Sequence, residues 1–298
     1  MRQPMTRRQF FVFSAASTAA LSARAQEPPA SFGIRQDWHM HTWRAGAKKD
    51  MIVKDMIATN AAYGLSLMGI SEHIDREDER EEFKTKLTAN REEALAAADT
   101  AGTMKVMIGT ESTMINPKLC AADAEIAAML DYRLISCNHY HLKHVENPEP
   151  TADAYANHYL DMLWGATELG YADTIGHPFY HQKLNKLFDH DGLMAILKAY
   201  NQERLTAVLK KAAEVNMAFE INPRHADRAL EWFRDLIQEA RLHGTKFTLG
   251  TDAHNIPSLG YPDNDSGRTC GMILAELGLK DEDLKTKPIK YTGTASRV

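Results

Sequence analysis

Cysteine is scarce: Cys120, Cys137 and Cys270 are the only 3 in 298 residues. An odd, sparse set cannot build a disulfide framework, so a packed core must hold the fold. A basic excess is also missing, because 40 acidic residues outnumber 35 basic ones for a formal net charge of −5. That field repels a polyanion and argues against nucleic acid as a partner, while leaving room for a local cationic pocket. No stretch reaches the ~18 consecutive apolar residues of a bilayer span. A Gly-rich phosphate loop of the Walker or dinucleotide type is absent, so nucleotide cofactors find no support. No solenoid period repeats. Hydrophobic content of 44% and charged content of 25% are those of an ordinary globular chain with enough length to bury a core.

The N-terminus reads as an address. Thr6-Arg7-Arg8-Gln9-Phe10-Phe11 looks like the twin-arginine export motif, an Ala/Ser/Thr-rich apolar run follows, and Ala23-Arg24-Ala25 offers a small-x-small cleavage site. The expectation is a twin-arginine signal peptide over residues 1–25, a linker over 26–33 and one domain over 34–298. Export machinery would then be a partner, and the mature chain would be periplasmic or secreted with no stable membrane insertion. Cleavage would remove Arg2, Arg7, Arg8 and Arg24 and no acid, which deepens the negative charge. The alternative is an uncleaved amphipathic helix. Sparse cysteine is compatible with folding before export, in a reducing compartment.

Beyond the linker a beat recurs: short apolar strand, polar loop, amphipathic helix. Strands are predicted over 34–38, 65–71, 105–109, 132–136, 172–175, 217–221 and 246–250. Helices are predicted over 50–63, 77–100, 121–130, 152–169, 193–216 and 226–243, from apolar residues recurring on one face. Gly64, Gly102, Gly170 and Gly244 stand where helix C-caps belong. Such β–α repeats with no two-domain break predict an α/β fold, a single-domain TIM-like barrel with parallel strands.

A parallel barrel collects its reactive side chains at the C-terminal ends of its strands. Six of the seven predicted strands end in ligand-type residues: His39 and His41, then His73, Glu111, His139 with His141, His177, and Asp252 with His254. So many imidazoles and carboxylates cannot share one mouth as charged groups, because desolvation and repulsion both oppose it. Divalent cations remove the conflict by taking neutral imidazole and ionised carboxylate as ligands. His-x-His suits this, since side chains two apart on a strand point the same way. Each residue alone has a plainer reading. His73 and His177 could be packed histidines, Glu111 a surface acid or helix cap, and Asp252 a cap for the next helix. Glu220 and Asn222 end the sixth strand as supporting candidates. His144, His158, His181, His190, His225 and His243 read as loop or helix-surface residues.

The set Asp37-Trp38-His39-Met40-His41-Thr42, Gly69-Ile70-Ser71-Glu72-His73, Gly109-Thr110-Glu111, the His139 segment, Ile175-Gly176-His177-Pro178, Glu220-Ile221-Asn222 and Gly250-Thr251-Asp252-Ala253-His254 resembles the PHP (polymerase and histidinol phosphatase) domain family. The resemblance implies a distorted (β/α)7 barrel and a metal-dependent phosphoesterase with two or three divalent ions (Zn, Mn or Fe). It implies a first metal on His39, His41, Glu111 and Asp252. A second would share Glu111 and add His139 and His177. A third would use His73, His254 and a ligand from the loop after the first strand. Many relatives supply that last ligand as a histidine; here none stands between His41 and His73, and Asp50 is the nearest candidate.

The first functional reading is hydrolysis of a small phosphorylated substrate by a metal-bridging hydroxide. Glu111, Asp252 and His254 form the catalytic core of that reading, with His254 or its metal serving the leaving alkoxide. Arg224 and Arg44, the basic residues nearest the strand ends, are candidates to bind phosphate. The alcohol half would meet loops over 179–191 and 257–269. Amidohydrolase-type C–N or ester hydrolysis is the alternative. It is weakened because no strand-end lysine occurs and the chain ends its motifs in Asp-x-His on the seventh strand. A barrel that binds metal without catalysis is the third reading.

Overall fold

The computed structural model describes residues 31–180, 190–263 and 267–293. The expected signal peptide and most of the linker lie outside them, as do parts of both loops expected to meet the alcohol. Contacts gather Ser31–Val298 into one unit.

Eight strands form one sheet: β1 Gln36–Met40, β2 Leu67–Ile74, β3 Lys105–Asn116, β4 Leu119–Cys120, β5 Tyr132–Ser136, β6 Thr174–Ile175, β7 Ala218–Ile221 and β8 Phe247–Leu249. Seven run parallel in the order β1-β2-β3-β5-β6-β7-β8, and β4 is an antiparallel partner of β3 alone. Backbone bonds from Asp252 N–H to His39 O (2.8 Å) and from His41 N–H to Ala253 O (3.0 Å) close β8 onto β1. The fold is the TIM-like barrel the β–α beat predicts. Among the described residues no helix is long and apolar enough to cross a membrane.

Two departures from the predicted elements matter to the site. β3 does not stop at Gly109 but runs on to Asn116, because its far end pairs with β4. Glu111 is therefore mid-strand, held rigidly by ladder bonds on both sides rather than hanging from a loop. The predicted helix over 193–216 is two helices, His190–Ala199 and Gln202–Glu214; the Asn201 side chain caps the second by accepting from Arg204 N–H.

A wedge fills the barrel below the mouth. Trp38, Leu67, Met107, Tyr132 and Leu134 form one buried cluster, with the Trp38 and Tyr132 rings edge to face at 5.5 Å. Gly109 makes room for it, since a Cβ there would sit 2.4 Å from the Tyr132 ring. Pairing of β1 with β2 slips between Asp37 and Met40, so three residue steps on β1 face two on β2. This bulge lets Trp38 join the wedge and His39 still turn toward the mouth, while Met40 packs into a different cluster.

Candidate metal centre

Glu111, 1% exposed, is the hub of the mouth. Its Oε2 lies 3.3 Å from His39 Nε2, 3.3 Å from His41 Nε2 and 3.1 Å from His73 Nδ1. Its Oε1 lies 3.1 Å from His139 Nε2 and 2.8 Å from His177 Nε2, and accepts from Ser136 Oγ at 2.5 Å. Asp252 Oδ1 completes one side, 3.1 Å from His41 Nε2 and 3.5 Å from His39 Nε2. Atoms at these separations are spaced like the edges of a tetrahedron with bonds of about 2.1 Å, the length of a metal–nitrogen or metal–carboxylate bond.

Among the described residues three groups emerge whose ligand-type atoms lie within 4.8 Å of one another: His39, His41, Glu111 and Asp252; Glu111, His139 and His177; and His41, His73 and His254. The first two coincide with the sets the resemblance implies. The third differs, because His41 and not Asp50 stands with His73 and His254. Asp50 is exposed and belongs to none of the groups.

Hydrogen bonds fix which nitrogen of several rings faces inward. His39 Nδ1 donates to Glu220 Oε2 at 2.7 Å, which leaves Nε2 a bare lone pair. Thr113 Oγ1 lies 2.6 Å from Asp75 Oδ1 and 2.7 Å from His139 Nδ1. The hydroxyl has one proton, and the carboxylate can only accept it, so Nδ1–H of His139 must donate to Thr113. His254 Nδ1 donates to the Asp252 carbonyl at 2.9 Å. In its neutral form each ring therefore turns a proton-free Nε2 inward, the form a cation requires. This donor set of imidazoles and carboxylates fits divalent cations, and the buried His41 Nδ1 and Glu220 Oε1 have no hydrogen-bond partner.

The imidazoles divide electrostatically: burial opposes charge on His39, but Glu220, Glu111 and Asp252 outweigh it and push that ring well above the ordinary imidazole range. Burial, reinforced by the neighbouring His73, pushes His41 down to about 3 and keeps it neutral. Burial opposes charge on Glu111, yet His39, His73 and His139 outweigh it and hold the carboxyl well below its usual range. Asp75 follows the same pattern: burial raises it, but hydrogen bonds from His139 and Thr113 hold it at about 2. The backbone is strained at two of these positions, with φ of 29° at His177 and 54° at Asp252. Positive φ in residues other than glycine costs about 1–3 kcal/mol and is retained where surroundings over-determine it.

Other expected residues fall differently. The Arg44 guanidinium donates to Asn90 Oδ1 at 3.1 Å and pairs with Glu93, so a phosphate would have to displace an acid to reach it. Arg224 N–H caps onto Asn222 Oδ1 and the side chain is half-buried. His141 is exposed and outside all three groups. His225, expected on the surface, is instead half-buried and stacked on Tyr180. Asp75 and Thr113 escaped the sequence reading because each stands beside ordinary strand residues. The only clue was Asp75 lying two residues after His73. Glu72 was hidden similarly; it is fully buried, accepting from Thr42 Oγ1 at 2.5 Å and Asn90 Nδ2 at 2.8 Å.

No protein-family model matches this chain, and no curated protein does. Solved structures do. Histidinol phosphate phosphatase from Lactococcus lactis subsp. lactis, solved with zinc, L-histidinol and phosphate, has a TM-score of 0.55 at 20% identity, covering 74% of this chain and 87% of that one. A candidate histidinol phosphatase from Listeria monocytogenes has a TM-score of 0.50 at 12% identity, covering 76% of this chain and 97% of that one. At these identities the likeness is one of fold, and it spans most of each chain.

Proposed function

We propose that this protein is a metal-dependent phosphoesterase that acts on small phosphorylated substrates with two or three divalent ions, zinc, manganese or iron. The observation that carries the reading is the division of Glu111. One carboxylate oxygen faces His39, His41 and His73, and the other faces His139 and His177. A carboxylate shared in that way could serve two divalent cations at once. Bound there, divalent ions would supply a nucleophilic water and charge neutralisation for a phosphoryl group. His39, His41, Glu111 and Asp252 form the first proposed ligand set, and Glu111, His139 and His177 the second. His73 and His254 form the third with His41, whose stacked ring lies 4.3 Å from that of His73.

The chain's own residues supply orientation and protons. Glu220 and the Asp75–Thr113 pair aim His39 and His139. His254 is the most exposed of the cluster at 42%, and it or the cation it would hold would serve the leaving alkoxide in this reading. Arg224 is available to bind an anionic substrate. The phosphatase chemistry of the solved neighbours is consistent with this proposal, and the export reading of residues 1–25 would place the reaction outside the cytoplasm. The test is an assay of purified protein, stripped and then supplied with Zn²⁺, Mn²⁺ or Fe²⁺, on phosphomonoesters and diesters. Metal-stimulated release of phosphate or alcohol is expected; no turnover of any ester under any metal would overturn the reading.

A further inference from the structure

One side of the mouth carries an aromatic, cationic wall that the three cation-spaced groups do not use. Tyr180, three residues after His177, stacks on His225 with ring centroids 3.5 Å apart and planes 10° off parallel. Asn138, next to His139, anchors this segment by donating to the His177 and Tyr180 carbonyls at 3.0 and 2.8 Å. The stack therefore stands beside the acid–imidazole layer, and His225 feels the charges of both His177 and Asp252. Arg228 lies over the Tyr180 ring, 5.7 Å from its centroid, and Arg224 directly precedes His225.

Charge pairing sets these two arginines apart. Arg44, Arg76, Arg80, Arg91, Arg133, Arg204, Arg234, Arg241 and Arg268 each pair with a carboxylate. Among the described arginines only Arg35, Arg224 and Arg228 do not, and two of those three stand together after β7. Both follow β7, one half-buried and one exposed, and with no acid neutralising either one their charge is available to an anion. His225 adds a buried Nδ1 with no hydrogen-bond partner. A neutral imidazole can carry its proton on either nitrogen, so Nδ1 can donate to an incoming acceptor. Guanidiniums beside an aromatic face suit a planar anion with two oxygens, which a carboxylate is.

We propose that Arg224, Arg228 and the Tyr180–His225 stack form a second anion subsite, which recognises a carboxylate on the alcohol half of the substrate. The substrate class is then phosphomonoesters of small hydroxy acids. This rests on the phosphoesterase reading and specifies its leaving group. In the reaction water oxygen bonds to phosphorus, the P–O ester bond breaks, and the alcohol oxygen leaves with a proton, yielding phosphate and the free hydroxy acid. A leaving group bearing an ammonium meets like charge at the same wall and is disfavoured.

The experiment uses three esters of equal length, the phosphates of 3-hydroxypropionate, propanol and 3-aminopropanol, with metal-loaded protein. Calorimetric binding and kcat/KM are measured for each. The carboxylate ester is expected to exceed the propanol ester by about tenfold in both, with the ammonium ester weakest, as charge-assisted hydrogen bonds dictate. Arg228→Ala and Arg224→Ala should each shrink that ratio severalfold, mainly through KM, and added salt should shrink it further. If no ester is hydrolysed yet the carboxylate ester still binds most tightly in an Arg228-dependent way, the subsite stands and the phosphoesterase reading falls. Equal binding of all three esters, with or without turnover, overturns the subsite.

Discussion

At the base of the barrel, Arg133 and Asp173 are as deeply buried as Glu111 and its imidazoles at the mouth. Arg133 gives Nε to Tyr171 O at 2.9 Å, Nη1 to Leu130 O at 3.2 Å and Nη2 to Ile289 O at 2.9 Å, and pairs with Asp173 at 3.0 Å. Asp173 also accepts from Arg133 N–H and Ile289 N–H, at 2.9 and 2.5 Å, and lies 3.5 Å from Lys285 Nζ, which donates to Asn216 O. Opposite charges meet there, and the remaining protons end on backbone carbonyls. At the mouth the reverse holds: with Nδ1 of His39 and of His139 donating elsewhere, their Nε2 atoms face Glu111 oxygens that are also acceptors. A buried charge cluster whose donors all find acceptors is architecture and is complete as it stands. One whose acceptors face one another is complete only with cations between them.

Several substitutions test whether the two ends differ in this way. The largest effect is expected from Glu111→Gln, which removes the shared carboxylate charge. Bound metal measured by elemental analysis should fall sharply, and turnover should drop on the order of 10³-fold. Retention of full metal content would break the contrast at its centre. Asp173→Ala at the base should do the opposite, costing about 3–5 kcal/mol in denaturant unfolding by stranding Arg133 and Lys285, while metal content per folded molecule stays constant. Chelation sharpens the pair: stripping metal should destabilise the wild type and Asp173→Ala alike, by about 2.7 kcal/mol where metal stood at a hundredfold over its Kd, but not Glu111→Gln. A smaller effect, ~10–100-fold in metal affinity, is expected for Glu220→Gln, because His39 loses its fixed tautomer. Unchanged affinity in competition with a chromogenic chelator would count against that role.

The smallest effect concerns pH at the base. Burial raises Asp283, but hydrogen bonds from Arg241, at 2.9 Å from its Nε, and from Lys280 N–H outweigh it and hold its carboxyl below the ordinary value. A depressed folded pKa stabilises the protein above the unfolded value, and that contribution disappears as pH falls through the folded one. Stability should therefore fall on acidification below the ordinary carboxylate range, and less steeply in Asp283→Asn. Identical acid limbs for the two proteins would remove Asp283 from the account.

Much of the mouth was legible in the chain because the barrel rule converts position into place. His39, His41, His177, Asp252 and His254 follow short apolar runs, so their convergence could be inferred without coordinates. Glu111 also lies at the mouth, although β3 continues past it to pair with β4. The residues that orient the imidazoles were harder. Asp75, one residue past the end of β2, and Thr113 in β3 act only as a pair, and no spacing along one strand reveals such a pair. His225 looked like a surface residue because a four-residue helical turn, Pro223–Ala226, leaves no periodicity from which to infer burial.

The order of short strands, Gly-capped helices and ligand-type residues specified the barrel and the composition of its mouth, because strand period and chain direction are local properties that neighbouring residues impose. Folding in three dimensions decided the rest. It chose which nitrogen of each ring faces inward, brought His41 rather than Asp50 to the third group, and left Arg224 and Arg228 without acids. Those outcomes depend on hydrogen bonds and charges between segments as far apart in sequence as His41 and Asp252, whose separations no local pattern encodes.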